Sequence, residues 1–107
     1  MNTITRRETA PDIEAAVDQT TALEPPWRVI IHNDDVTPYD FVVRLLASIF
    51  KLSAEIADHI ALTAHLTGKA HVVTRPRREA ETLVNKAHFA AQLENYPLLF
   101  TLEPERV

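Results

Sequence analysis

The hydrophobic positions of the chain fall into six runs separated by polar or proline-bearing breaks. Trp27-Arg28-Val29-Ile30-Ile31 is an aromatic, β-branched run of strand length, ended by the polar stretch His32 to Asp35. Thr37-Pro38-Tyr39-Asp40 predicts a helix start, with Thr37 as N-cap, Pro38 at the first helical position and Asp40 completing a capping-box-like pair. Behind it Phe41, Leu45 and Ile49, with Val42 and Leu46, recur at a spacing suited to one buried helix face. Ser53 opens a second helix with Glu55 in its first turn; Ile56, Ile60, Thr63 and Leu66 form its expected apolar line, with Ala57, Ala61 and Ala64 beside it. Gly68 stands where a left-handed residue stops that helix. Ala70 to Thr74 predicts a second strand. A third helix follows over Pro76 to Glu94, with Ala80, Val84, Ala87 and Ala91 inward and Asn95 as its stop, and Pro97 to Leu102 predicts a last strand. The order β-α-α-β-α-β predicts an α+β sandwich of three strands and three helices, with strand directions left open by the pattern.

Residues 1–24 stand apart from this pattern. They carry Arg6 and Arg7 against Glu8, Asp12, Glu14, Asp18 and Glu24, hold no aromatic residue, and read as a mobile acidic extension. Pro25-Pro26 marks the boundary, leaving 25–107 as the folded domain. Composition narrows the function classes. With 11 basic and 15 acidic residues the net charge is −4, which removes the basic face that nucleic acid and anionic membranes demand. The absence of cysteine excludes a disulfide framework, a thiolate nucleophile and a cysteine zinc site, and fits a cytoplasmic protein. A single glycine excludes glycine-rich phosphate loops. No apolar run approaches the roughly 18–20 residues of a membrane span, and no apolar stretch follows Arg6-Arg7 as a secretory signal requires.

The chemically dense segment is His32-Asn33-Asp34-Asp35-Val36-Thr37-Pro38, between the first strand and the first helix. Its amide and two carboxylates form an acceptor cluster suited to a cationic group with several donors, such as an ammonium. The same residues also suit plain turn chemistry, because Asn and Asp bond their own backbone in such loops. His65, three residues before Gly68, is the second candidate, and its alternative role is to face the negative end of its helix dipole. His32, Asp34, Asp35 and His65 lack the paired spacing of a metal site, and no metal or cofactor is expected. Ser48 lies mid-helix and Ser53 is used as a cap, so neither suits a hydrolase triad. A small acid/base enzyme built on Asp35 and His65 is a further reading of the same residues.

Four segments together carry a family resemblance. Pro-Pro-Trp-Arg-Val-Ile-Ile-His-Asn-Asp-Asp-Val-Thr-Pro (25–38), Phe41-Val42-Val43, Ala64-His65-Leu66-Thr67-Gly68-Lys69-Ala70, and Ala80-Glu81-Thr82 with Pro97-Leu98-Leu99-Phe100-Thr101-Leu102-Glu103 resemble, in order and spacing, the ClpS-type N-degron adaptors of the bacterial Clp protease system. The likeness runs over roughly 25–105. It implies a non-catalytic adaptor, without cofactor, that binds proteins bearing a bulky hydrophobic first residue and delivers them to a Clp AAA+ unfoldase of the ClpA or ClpC type. By the same resemblance, Asn33, Asp34, Asp35 and His65 hold the N-terminal amine, the imidazole being neutral so that it accepts. Thr37, Tyr39, Val42, Ala61, Leu62, Ala64 and Leu98 line the hydrophobic pocket. Arg78 and Leu83 fall on the expected unfoldase-docking surface, where family members often have an acidic and a basic residue. Tyr39 and Ala61 stand where many members carry methionine, Ala64 where a larger aliphatic is common, and Val36 where a tyrosine is common. The element order alone also resembles the C-terminal domain of the ribosomal stalk protein, a different kind of interaction module, which has no use for Asn33, Asp35 and His65 together.

Overall fold

A computed structural model describes residues 25–105; the expected acidic extension, 1–24, lies outside the described residues. The elements are β1 (Pro26–His32), α1 (Tyr39–Ile49), α2 (Ala54–Thr67), β2 (Lys69–Pro76), α3 (Arg77–Leu93) and β3 (Leu99–Pro104). The predicted order and α+β class are observed. β1 is the central strand of a three-stranded sheet of order β2-β1-β3, antiparallel on both sides. The helices contribute Leu45, Leu46, Ala57, Ile60, Ala80, Val84, Ala87 and Ala91 to a core closed by Val29, Ile31, Val72, Val73 and Phe100 from the sheet. Ile30 is buried outside that cluster, between its cross-strand partners His71 and Thr101. A bulge opposite Val29 and Ile30 leaves Val72 without a partner, which accounts for two neighbouring valines both being buried.

Helix α3 buries the four residues the spacing selects, Ala80, Val84, Ala87 and Ala91, and Asn95 ends the turn behind it at φ +63°. The small side chains of that row allow the helix to lie close on the sheet. Strand bounds shift from the expected ones. β2 runs on to Pro76, because Thr74 and Arg75 continue the ladder with Arg28 and Trp27. β3 starts two residues late and leaves Pro97 and Leu98 in the loop, with Leu98 buried.

Two expectations for the helices are corrected. Thr37 is not the N-cap of α1: Pro38 occupies that position with ψ 144° and no side-chain cap, because the Thr37 hydroxyl donates back to Asp34 at 2.9 Å. Asp40 accordingly closes no capping box and pairs with Arg44 one turn on, at 3.8 Å. In α2 the buried line is Ala57, Ile60, Ala61 and Ala64, while Ile56 and Leu66 are 50% and 71% exposed. The row of alanines permits close approach to the neighbouring elements, and the larger aliphatics rotate outward.

The ends of α2 behave as the sequence implies. The Ser53 hydroxyl accepts from the Ile56 N–H at 3.1 Å, and Gly68, at φ +101°, donates its N–H to the Ala64 carbonyl at 2.8 Å. No atom lies within 4 Å of a Cβ built on Gly68. Gly68→Ala is therefore expected to destabilise through backbone conformation alone, by about 1–2 kcal/mol, measured by urea unfolding.

Candidate functional site

Three element ends converge at one end of the sheet: the C-terminal end of the central strand β1, the first turn of α1 and the last turns of α2. The Asn33 N–H donates to the Gly68 carbonyl at 2.9 Å, which pins the loop after β1 to the end of α2. Asp34 then folds the loop on itself. Its carboxylate accepts from the Val36 N–H at 2.8 Å, the Thr37 N–H at 2.7 Å and the Thr37 hydroxyl. Burial raises the Asp34 carboxyl, but these three hydrogen bonds outweigh it and hold it below its ordinary value near 3.8. A group whose folded pKa is depressed contributes stability above its unfolded pKa, and that contribution is lost as pH falls through the folded value. The stability difference between the parent and Asp34→Ala is thus expected to shrink between about pH 5 and about pH 3, followed by urea melts across that range.

With Asp34 occupied by the turn, its neighbours face outward. A cavity of about 250 Å³ is lined by Ile31, His32, Asn33, Asp34, Asp35, Thr37, Tyr39, Val42, Ala61, Ala64, His65 and Leu98. Among the described residues no hydrogen bond engages the side chains of Asn33, Asp35 or His65, whereas Asp34 and Thr37 bond each other. Val42, Ala61, Ala64 and Leu98 give the same cavity an apolar side. It therefore combines unengaged polar acceptors and hydrocarbon in one lining.

The helix spacing explains why α2 supplies so much of this wall. Ala61 and His65 are one turn apart and Ala64 lies between them, so the three form one stripe. Tyr39 sits across from that stripe. Its ring meets the His65 ring edge-on, with centroids 6.3 Å apart and planes at 86°, and its hydroxyl donates to the Asp58 carboxylate at 2.7 Å. That hydrogen bond, with burial and the negative charge of Asp58, raises the Tyr39 phenol above its ordinary value.

Among the described residues no group of three or more His, Asp or Glu side chains is placed to hold a metal ion, and no helix is long and apolar enough to cross a membrane. Residues 22–101 match the family model described as the ATP-dependent Clp protease adaptor protein ClpS. The chain belongs to the ClpS family. It is 46% identical over 79 residues to the adapter protein ClpS 2 of Mesorhizobium japonicum, a stretch covering 74% of this chain and 78% of that protein. It is 39% identical to ClpS of Desulforapulum autotrophicum, covering 83% of this chain and 86% of that one. The structure of Agrobacterium tumefaciens ClpS2 bound to L-phenylalaninamide is similar at 37% identity and a TM-score of 0.74, covering 76% of this chain and 98% of that chain.

Of the residues that the ClpS resemblance places at the site, ten line the cavity and Leu62 does not. Leu62 is 43% exposed, because the 100° step from Ala61 to Leu62 turns its side chain off the stripe. Arg78 and Leu83 lie on α3 and outside the cavity lining; Arg78 is exposed and Leu83 packs against the core. Two further lining residues, Ile31 and His32, lie outside the set that the resemblance places at the site, although His32 opens the chemically dense segment. Their signal was position: they are the last residues of β1, directly before the Asn-Asp-Asp segment.

Proposed function

We propose that this domain of the ClpS adaptor family binds the free N-terminus of polypeptides whose first residue is bulky and hydrophobic, and delivers them in the cytoplasm to a Clp unfoldase of the ClpA or ClpC type. The observation that carries the reading is the cavity's division of labour. Asn33, Asp35 and His65 offer three unengaged acceptors, the number of donors on an ammonium, while Val42, Ala61, Ala64 and Leu98 offer an apolar wall to one side chain. L-phenylalaninamide, the ligand in the related ClpS2 structure, combines a free α-amine with a benzyl group and matches that division. The domain acts by binding alone and carries out no covalent step. Asp34 shapes the loop and adds negative field, and Thr37 acts through Asp34. Arg78 and Leu83 belong to the surface that meets the unfoldase, and the acidic segment 1–24 serves handover rather than capture.

The test is fluorescence anisotropy with a peptide beginning with Phe and the same peptide with Gly placed ahead of that Phe. The first binds and the second loses most of its affinity, because no single pose seats both the amine and the ring. Equal binding of the two would sink the reading. Deleting residues 1–24 leaves the Phe-peptide affinity unchanged and slows unfoldase-dependent degradation of a tagged substrate.

A further inference from the structure

Asp58 lies outside the cavity lining, yet it is bonded to a residue within it. It precedes Ala61 by three positions and His65 by seven, so it extends the α2 stripe one turn toward the helix N-terminus. The Tyr39 hydroxyl reaches from the first turn of α1 to the Asp58 carboxylate at 2.7 Å, with the Asp58 backbone carbonyl at 3.1 Å. A tyrosine that is 41% exposed is otherwise free to change rotamer; this bond removes that freedom by tying α1 to α2 across the cavity mouth. The consequence falls on His65. Its described side-chain contact is the Tyr39 ring, edge-on at 86°, and no described hydrogen bond fixes the orientation of the imidazole. We propose that Asp58 is a positioning residue for the amine site, acting through the Tyr39 hydroxyl to hold that ring against His65 and so fix both the imidazole and the width of the pocket mouth. The role rests on the amine-binding reading above and names the part that α2 plays in it beyond the residues that touch the ligand.

Two features separate this role from a general electrostatic one. A carboxylate near the mouth attracts an ammonium whether or not Tyr39 is bonded to it, whereas positioning requires an acceptor and not a charge. Asp58→Asn keeps a side-chain acceptor oxygen and removes the charge; Asp58→Ala removes both and leaves only the longer backbone carbonyl contact at 3.1 Å; Tyr39→Phe keeps the ring and removes the hydroxyl. The four proteins and the double variant Asp58→Ala/Tyr39→Phe are titrated with a fluorescent peptide beginning with Phe and with its N-acetylated form. Asp58→Ala and Tyr39→Phe are each expected to weaken the free peptide about five- to tenfold, the reach of one hydrogen bond, with the double variant no weaker than either single one. Asp58→Asn stays within about twofold of the parent. The thermal midpoint of Asp58→Ala stays near that of the parent, since Asp58 is an exposed surface residue. Parent-like affinity in Asp58→Ala, additive losses in the double variant, or an Asp58→Asn as weak as Asp58→Ala would each overturn the role while leaving the amine site standing. If the parent binds the acetylated and free peptides equally, the amine-binding reading itself fails and the positioning role falls with it.

Discussion

Acetylating the first residue of a Phe-peptide is expected to cost about 3 kcal/mol or more in binding, a loss of over a hundredfold. Acetylation removes the positive charge and leaves one N–H where the ammonium had three donors. Asn33, Asp35 and His65 all line the cavity, and among the described residues no hydrogen bond engages the side chain of any of them. Each acceptor that closes over an amide instead of an ammonium then carries part of its desolvation cost without return. Among the three, Asp35 is expected to contribute most, because it alone offers a carboxylate and its neighbour Asp34 is committed to the Val36 and Thr37 N–H groups. Asp35→Ala is therefore expected to weaken the free peptide by about 1–3 kcal/mol. It is expected to leave the already weak acetylated peptide nearly unchanged. Isothermal titration of both peptides against both proteins closes the cycle. A loss in Asp35→Ala that is equal for free and acetylated peptides would mean that Asp35 does not meet the amine.

Much of this site was legible because its residues are tied to local rules. Ser53 and Gly68 bound α2 by capping chemistry that involves few residues, and the row Ala80, Val84, Ala87, Ala91 announces its face by spacing alone. Once α2 is bounded, Ala61, Ala64 and His65 fall on one stripe. What the sequence conceals is competition between equally good local options. Thr37 satisfies every rule for an N-cap, yet Asp34, three residues earlier, takes its hydroxyl and its N–H and converts the cap into a loop clamp. Ile56 and Leu66 look more like core residues than Ala57 and Ala64, but close packing selects the alanines. Leu62, which the family resemblance implies as pocket lining, lies off it, since one residue of helix rotation beyond Ala61 turns its side chain to solvent. Asp58 lies beyond either route, because nothing local to it says that a tyrosine hydroxyl 19 residues earlier will arrive there.

Aromatic first residues are expected to bind more tightly than Leu, and the reason lies in two small residues and one ring. Ala61 and Ala64 face the cavity from α2 and are each only 3% exposed, so the wall behind the ligand side chain is backbone and methyl groups. A ring fills the space this leaves, whereas the shorter Leu side chain leaves part of its surroundings without contacts. Tyr39, tethered to Asp58 and edge-on to His65, keeps a ring at the mouth, where an aromatic ligand gains about 0.5–1.5 kcal/mol from edge-to-face contact. Val and Ile remain poor ligands, because branching at Cβ crowds the mouth beside the fixed ammonium. Replacing Ala61 by Met brings a flexible side chain into the space the ring would occupy. Ala61→Met is thus expected to weaken Phe, Tyr and Trp peptides while leaving Leu equal or stronger, a reversal of about fivefold or more in the Phe-to-Leu ratio. Titrating the four peptides against both proteins decides the matter. If the parent prefers Leu, or if Ala61→Met leaves the ratio where it was, the volume behind Ala61 does not set the specificity.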